Sequence, residues 1–208
     1  MACIDHFYVF AQPGAPERRR LLERGLRIGA ARRHPGQGTE NVCFGFADSY
    51  LELIWIRDER EAASPAVAPL RLGERGDWRR RGASPFGVCL RVTPDEGAPF
   101  ASWPFRPDYL PDGMRFEMTR EHDEVHQPLL FALDRPVVPL AAPHPLARAA
   151  LRELRITTPG LAANSSLREL PVPGLVFEAG SEHRMEVRLG DGDDALDLAP
   201  DLPLVLRW

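Results

Sequence analysis

The sequence predicts an α+β fold assembled from repeated βαβββ units, and three observations carry that prediction. Residues 1–57 run strand, short helix, then three strands with short connections. Strand signals resume over residues 86–140, after a segment of different composition. A third set of short strand signals occupies residues 145–208.

Each element has a local reason. Residues 4–10, IDHFYVF, are β-branched and aromatic and read as a strand. In AQPGAPERRRLLERG, Pro16 suits the first helical position, Glu17 favours the positive helix end and Gly25 can close the far end, with Leu21 and Leu22 as the apolar edge. LRIGAAR reads as a strand, HPGQGTE as a loop carrying Pro35, Gly36 and Gly38, and NVCFGF and YLELIWI as two more strands. Residues 58–85 are rich in Arg, Glu, Ala and Pro without a sustained period, so they read as a linker or irregular crossover with one helical turn. FGVCLRV opens the second unit. VTPDEGAPFASWPFRPDYLPDG holds five prolines and cannot be a long helix, which leaves this unit helix-poor. MRFEMTR and PLLFALD are strands joined by the polar tip EHDEVHQ. LRELRIT, GLVFEA, HRMEVRL and LVLRW supply an incomplete C-terminal β-rich unit packed on the same domain, with GDGDD as a hairpin turn between two of its strands.

A chain of 208 residues can bury a sizeable core, and its formal charge of −4 argues against binding nucleic acid by phosphate neutralisation. All 26 basic residues are arginine. The missing lysine removes Schiff-base catalysis, a Walker-type phosphate lysine and lysine as general base. No run approaches the roughly 20 apolar residues of a membrane-spanning helix, and MACIDHFYVF lacks the basic start of a signal peptide. Cys3, Cys43 and Cys89 are odd in number and set in apolar runs, as buried free thiols of a reducing compartment would be. The expectation is a cytoplasmic protein without nucleic-acid or membrane partners, acting as a monomer or homodimer.

The repeated βαβββ unit, the Asp5–His6 pair opening IDHFYVF, and the landmarks HPGQGTENVCFGFADSYLELI, FGVCLRV, LPDG, PLLFALDRP and HPLARAALRELRITTP resemble the glyoxalase-like branch of the vicinal oxygen chelate superfamily. That superfamily includes glyoxalase I, bleomycin-resistance proteins and ring-cleaving dioxygenases. The resemblance implies a curved mixed sheet around a cup, with helices outside. It also implies a divalent metal held by residues of the first and last strands of each unit. His6 matches the first-strand ligand and Glu52 the fourth-strand ligand. In the second unit the first-strand position falls at about Gly87, which has no donor, and the last-strand position near Asp134.

Strand parity can be read from the residues alone. His6, Tyr8 and Phe10 share one face of their strand, as Tyr50, Glu52, Ile54 and Ile56 share one face of theirs. Phe7, Val9, Leu51, Leu53 and Trp55 take the opposite faces, under the helix. His6 and Glu52 are then polar residues on apolar faces, each costing about 1–3 kcal/mol unless satisfied. Two readings satisfy them. A His6–Glu52–Asp134 set would hold Mn, Fe, Mg, Ni or Zn, with Glu52 catalytic, in a metal-dependent lyase, isomerase or dioxygenase. A metal-free cup instead binds a small oxygenated or aromatic molecule against Tyr8, Phe10 and Tyr50, with His34 and Asn41 at its mouth. The second reading is the one carried forward.

Other constellations carry less. HPGQGT is followed by a strand rather than a helix, so it reads as a turn and not a phosphate cradle. His122, Glu124 and His126 fall at a hairpin tip, and Arg18–Arg20 on a solvated helix face. Arg79–Arg81 follow Trp78 and could clamp an anion, while Trp103 and Tyr109 are candidate lid residues. Ser165 and Ser166 lack the context of a hydrolytic nucleophile.

Overall fold

A computed structural model describes residues 2–93, 95–121, 124–134, 148–163 and 165–208. The first part of the chain forms β1 (Cys3–Phe10), α1 (Arg18–Glu23), β2 (Ala30–His34), β3 (Thr39–Gly45) and β4 (Tyr50–Ile56). Three short helices follow, α2 (Glu59–Ala62), α3 (Leu72–Gly76) and α4 (Trp78–Arg81), with a 3-10 turn at Ala68–Leu70. Then come β5 (Phe86–Arg91), β6 (Ser102–Phe105), β7 (Phe116–Thr119) and β8 (Leu129–Leu133). These eight strands make one mixed sheet in the order β2-β3-β4-β1-β5-β8-β7-β6. β1 is parallel to β4 and β5 to β8, and the two halves join through the antiparallel β1–β5 pair. The sheet is the predicted α+β architecture curved around a cup.

The C-terminal strands form a second, five-stranded sheet in the order β10-β9-β11-β13-β12. They are β9 (Leu151–Thr158), β10 (Leu175–Ala179), β11 (Arg184–Leu189), β12 (Ala195–Asp197) and β13 (Leu204–Arg207). GDGDD does not turn between paired neighbours: β11 runs parallel to β13, and β13 lies between β11 and β12. β12 escaped the sequence reading because it is a three-residue strand following a run of aspartates.

Alternation sorts the apolar side chains into two cores. Phe7, Val9, Leu51, Leu53, Val88 and Leu130 join Leu21 of α1 and the inner faces of β9 and β11, including Ile156 and Val187. Tyr8, Phe10, Ile54, Cys89, Leu129 and Phe131 face the other way, into the cup. The segment expected as a linker contributes here, since Val67, Leu70 and Leu72 pack in the cup core. β6 crosses the proline-rich stretch and tolerates Pro104 because it is the sheet's outermost strand. No helix among the described residues is long and apolar enough to cross a membrane.

Arg75 fixes the segment over the cup. Its side chain is fully buried and donates to the carbonyls of Leu70 at 3.2 Å, Ser84 at 3.4 Å and Gln127 at 2.7 Å. Burial pushes its pKa down to about 10, so the guanidinium stays charged at neutral pH. Three charged hydrogen bonds to backbone oxygens tie the 70–84 segment to the start of β8. Replacing Arg75 with Met should cost about 2–4 kcal/mol in urea unfolding, because buried carbonyls lose their donors. A loss under about 0.5 kcal/mol, as for an ordinary surface change, would contradict this role.

Candidate functional site

The site begins with an irregularity in β1. Side chains of consecutive strand residues normally point to opposite faces. The β1–β5 pairing shifts register between Ile4 and His6, so Asp5 is the extra residue of a bulge. Asp5 and His6 therefore meet: His6 Nδ1–H donates to Asp5 Oδ2 at 2.9 Å. The other carboxylate oxygen, Oδ1, accepts from Arg91 Nε at 2.9 Å and Nη2 at 2.7 Å. Burial pushes the Asp5 carboxyl up, but the His6 hydrogen bond and charge, followed by those of Arg91, outweigh it and hold it below the ordinary range. The His6 ring lies flat on Tyr50, centroids 4.5 Å apart, and meets the edge of Phe131 at 5.6 Å. Nδ1 is committed, and Nε2 makes no hydrogen bond among the described residues.

His6 forms part of the wall of a cavity of about 490 Å³ inside the cup. Tyr8, Tyr50 and Glu52 surround it at the sheet, while Phe105, Phe116, Met118, Leu129 and Phe131 make the apolar wall. Glu52 is buried and accepts a weak hydrogen bond from Cys43 Sγ at 3.8 Å. Burial, then the charge of Glu52, pushes the Cys43 thiol and the Tyr50 hydroxyl up, so both stay protonated. Burial does the same at Tyr8, where the charges of Arg75 and Glu52 oppose each other. The Tyr8 and Tyr50 hydroxyls make no hydrogen bond among the described residues.

The mouth is built from the β2–β3 turn and the 106–114 segment. Glu61 Oε2 accepts from Gly36 N at 3.0 Å and Gly38 N at 3.2 Å, so the chain's own carboxylate fills the anion-binding turn. Gly38 has φ +73°, and a Cβ there would collide with the Asp58 carbonyl, so glycine is required. Tyr109 OH donates to Gln37 Oε1 at 2.8 Å, and Gln37 Nε2 donates to Thr39 Oγ1 at 2.8 Å. Thr39 in turn is hydrogen-bonded to His34 Nδ1 at 2.8 Å. Burial lowers the His34 pKa, so the neutral ring accepts the threonine proton at Nδ1 and carries its own on Nε2.

The expected site residues divide accordingly. His6, Tyr8, Tyr50, Glu52 and His34 line the cavity, and so does Tyr109 of the lid pair. Phe10 stays behind, fully buried with its edge against Tyr8 at 5.7 Å. Asn41 is buried in the sheet, where its Oδ1 accepts from Arg32 N at 3.1 Å. Trp103 packs on Phe105 at 5.9 Å and is not on the cavity wall.

Asp134, expected as a third ligand, is not among the residues that line the cavity. His6 lies opposite Tyr50 and Tyr8 opposite Glu52; Gly87 lies opposite Leu129 and Cys89 opposite Phe131. With His6 laid on Gly87, as the family resemblance implies, the two registers lay Glu52 on Phe131. Asp134 follows β8, and alternation turns it away from the face that Phe131 and Leu133 share. Its Oδ1 is buried without a hydrogen-bond partner among the described residues, apart from the cavity. Gly87 has a positive role instead: a Cβ there would strike the Tyr8 ring, which lies across it. Tyr8 thus fills the space of the second unit's first donor position.

The remaining constellations are structural. Of the ligand-type residues at the hairpin tip, His122 lies outside the described residues and His126 Nδ1 bonds the Gly82 carbonyl at 2.9 Å. Arg20 reaches across to the Asp197 carbonyl at 2.6 Å, so it is not simply solvated. Arg79 stacks on Trp78 and donates to the Asp201 carbonyl, while Arg80 and Arg81 pair with Asp77. Ser165 Oγ lies within hydrogen-bond distance of both Glu121 Oε2 and Gln127 Oε1, its one proton going to either, as a loop anchor would. Cys3 is exposed rather than buried. Asp5, His6 and Cys89, all buried, bring one potential donor atom each within 4.8 Å of one another. Sequence reasoning missed Arg91 and Gln37, because only the bulge and the turn give them partners.

Comparison with known proteins agrees with the architecture. The glyoxalase-like domain family matches residues 4–170, and the chain belongs to that family. No curated protein matches the chain. A hypothetical protein from Staphylococcus aureus is similar over 100% of this chain and 99% of its own, at 9% identity and a TM-score of 0.56. A methylmalonyl-CoA epimerase solved with methylmalonyl-CoA and NH4+ covers 64% of this chain and 94% of its own, at 16% identity and a TM-score of 0.43. A hypothetical protein from Bacillus halodurans C-125 covers 64% and 94%, at 14% identity and a TM-score of 0.42.

Asp5→Asn should cost about 1–3 kcal/mol at pH 7, since it breaks a buried charged pairing. Because the folded carboxyl titrates below its unfolded value of about 3.9, that stability is present above this pH and is lost as pH falls through the folded value. Urea unfolding of both proteins from pH 7 down to pH 3 should show the difference shrinking at the acid end. A difference independent of pH would contradict the ionic account.

Proposed function

We propose that the cup binds a small molecule with an aromatic or apolar body and an oxygen-bearing end, without a resident metal. One observation carries this reading: Tyr8 and Tyr50, their phenols held protonated and without hydrogen-bond partners among the described residues, line the same cavity as Glu52 and a wall of aromatic and aliphatic side chains. Two phenol donors suit a carbonyl or ether oxygen, and the Glu52 carboxylate suits a ligand hydroxyl. Apolar walls with a few converging polar groups are the usual make-up of a small-molecule site.

The donor set speaks against an ion. Of the four positions that hold metal in the superfamily, only His6 and Glu52 carry donors here; Gly87 and Phe131 do not. The Asp5–His6–Cys89 group fits no better. Both Asp5 oxygens are engaged, and the Arg91 guanidinium on the same carboxylate repels a cation. Burial pushes the Cys89 thiol well up, whereas a thiol must deprotonate to bind metal. Glu52 is therefore read as a ligand-binding group.

Thermal unfolding of the full chain with a panel of aryl ketones and phenols tests the proposal. A ligand at about 100 times its Kd should add roughly 2.7 kcal/mol of stability. Tyr50→Phe should weaken that ligand about 3–10-fold, the worth of one hydrogen bond. Stabilisation by Mn²⁺, Fe²⁺, Ni²⁺, Zn²⁺ or Mg²⁺ that disappears in His6→Ala would overturn the metal-free reading. No shift with any aryl compound would overturn the binding reading.

A further inference from the structure

The Arg91–Asp5–His6 series stands apart from what binding alone requires. A ligand pocket needs donors and apolar surface. It does not need a bulge that brings a buried carboxylate against the histidine, nor an arginine holding that carboxylate on two nitrogens. Together they fix the imidazole in one orientation and one tautomer. In the neutral ring the proton is on Nδ1, and Nε2 keeps its lone pair. Stacking on Tyr50 and the edge of Phe131 hold the ring plane at the cavity wall.

We infer that His6 is a general base that removes a carbon-bound proton next to a carbonyl, in a metal-independent proton-transfer reaction on an aryl-substituted ketone held in the cup. The inference rests on the binding reading above and deepens it by naming the substrate class. In the step, His6 Nε2 takes the proton and the C–H electron pair forms the carbon–carbon double bond of an enolate. The carbonyl π pair moves onto oxygen, which accepts hydrogen bonds from the phenols of Tyr8 and Tyr50. Return of a proton from His6 Nε2 to carbon regenerates the ketone, so no oxidant or co-reactant is consumed. The phenols stabilise charge where it develops, and Asp5 stabilises the imidazolium as it forms. His6 is the catalytic residue here; Asp5 and Arg91 are positioning residues.

The test is hydrogen–deuterium exchange in D2O, followed by proton NMR on phenylacetone and 2-indanone, with the full chain treated with chelator beforehand. Binding of the same two probes is measured in parallel by thermal shift. The inference expects exchange at the carbon next to the carbonyl with at least one probe, undiminished by the chelator. His6→Gln should lower the rate by about 100-fold or more, the usual worth of a positioned base, while still binding the probe. Asp5→Asn should lower kcat by about 10-fold or more with KM within about 3-fold, a split that loss of packing alone does not produce. His126→Gln, distant from the cavity, should exchange like the unaltered protein. Binding without exchange, exchange that survives in His6→Gln, or exchange abolished by the chelator would overturn the inference and leave the binding reading in place. Failure to bind either probe would overturn the inference, and the binding reading falls with it only when no compound of the aryl panel binds.

Discussion

One register shift in β1 sets what this cup can do. In a regular strand Asp5 would face away from His6, and the histidine would enter the cup as an isolated polar group on an apolar wall. The bulge turns the carboxylate back toward the ring, and Arg91, from the neighbouring strand, compensates the charge that results. A buried carboxylate without such a cation would cost several kcal/mol. With it, His6 Nδ1 is held on the Asp5 carboxylate at the cavity wall.

The second consequence is asymmetry. The two halves of the eight-stranded sheet repeat one strand order, yet their equivalent positions have diverged in chemistry. Where the first half has His6 and Glu52, the second has Gly87 and Phe131. Glycine at 87 leaves the room in which the Tyr8 ring lies across β5. The result is a pocket that takes His6, Glu52, Arg32, Arg33 and His34 from the first half and aromatic surface from both, with a mouth tied on one side by Tyr109, Gln37 and Thr39.

Much of this was legible in the sequence. Alternation in IDHFYVF and YLELIWI was enough to put His6, Tyr8, Tyr50 and Glu52 on the cup face and Phe7, Leu51 and Leu53 beneath it. What failed depended on information that alternation does not hold. The position of Asp134 depends on how β5 and β8 pair, and Phe131 and Leu133 line the cavity while Asp134 does not. The bulge leaves no mark, because DHF reads as ordinary strand. Arg75 looks like one more charge in an arginine-rich stretch until the carbonyls of Leu70, Ser84 and Gln127 are seen to converge on it. Phe10 shares β1 with His6 and Tyr8 but is fully buried, and Asn41 lies in β3, none of whose residues line the cavity.

The proposed chemistry requires the His6 ring in one tautomer, and long-range proton–nitrogen NMR on histidine-labelled protein observes it directly. The neutral His6 ring should carry its proton on Nδ1, with Nε2 unprotonated, and its signals should not move when Zn²⁺ or Mn²⁺ is added. In Asp5→Asn that tautomer preference should weaken. A proton on Nε2, or a His6 signal displaced by a divalent ion in the native protein, would contradict the account.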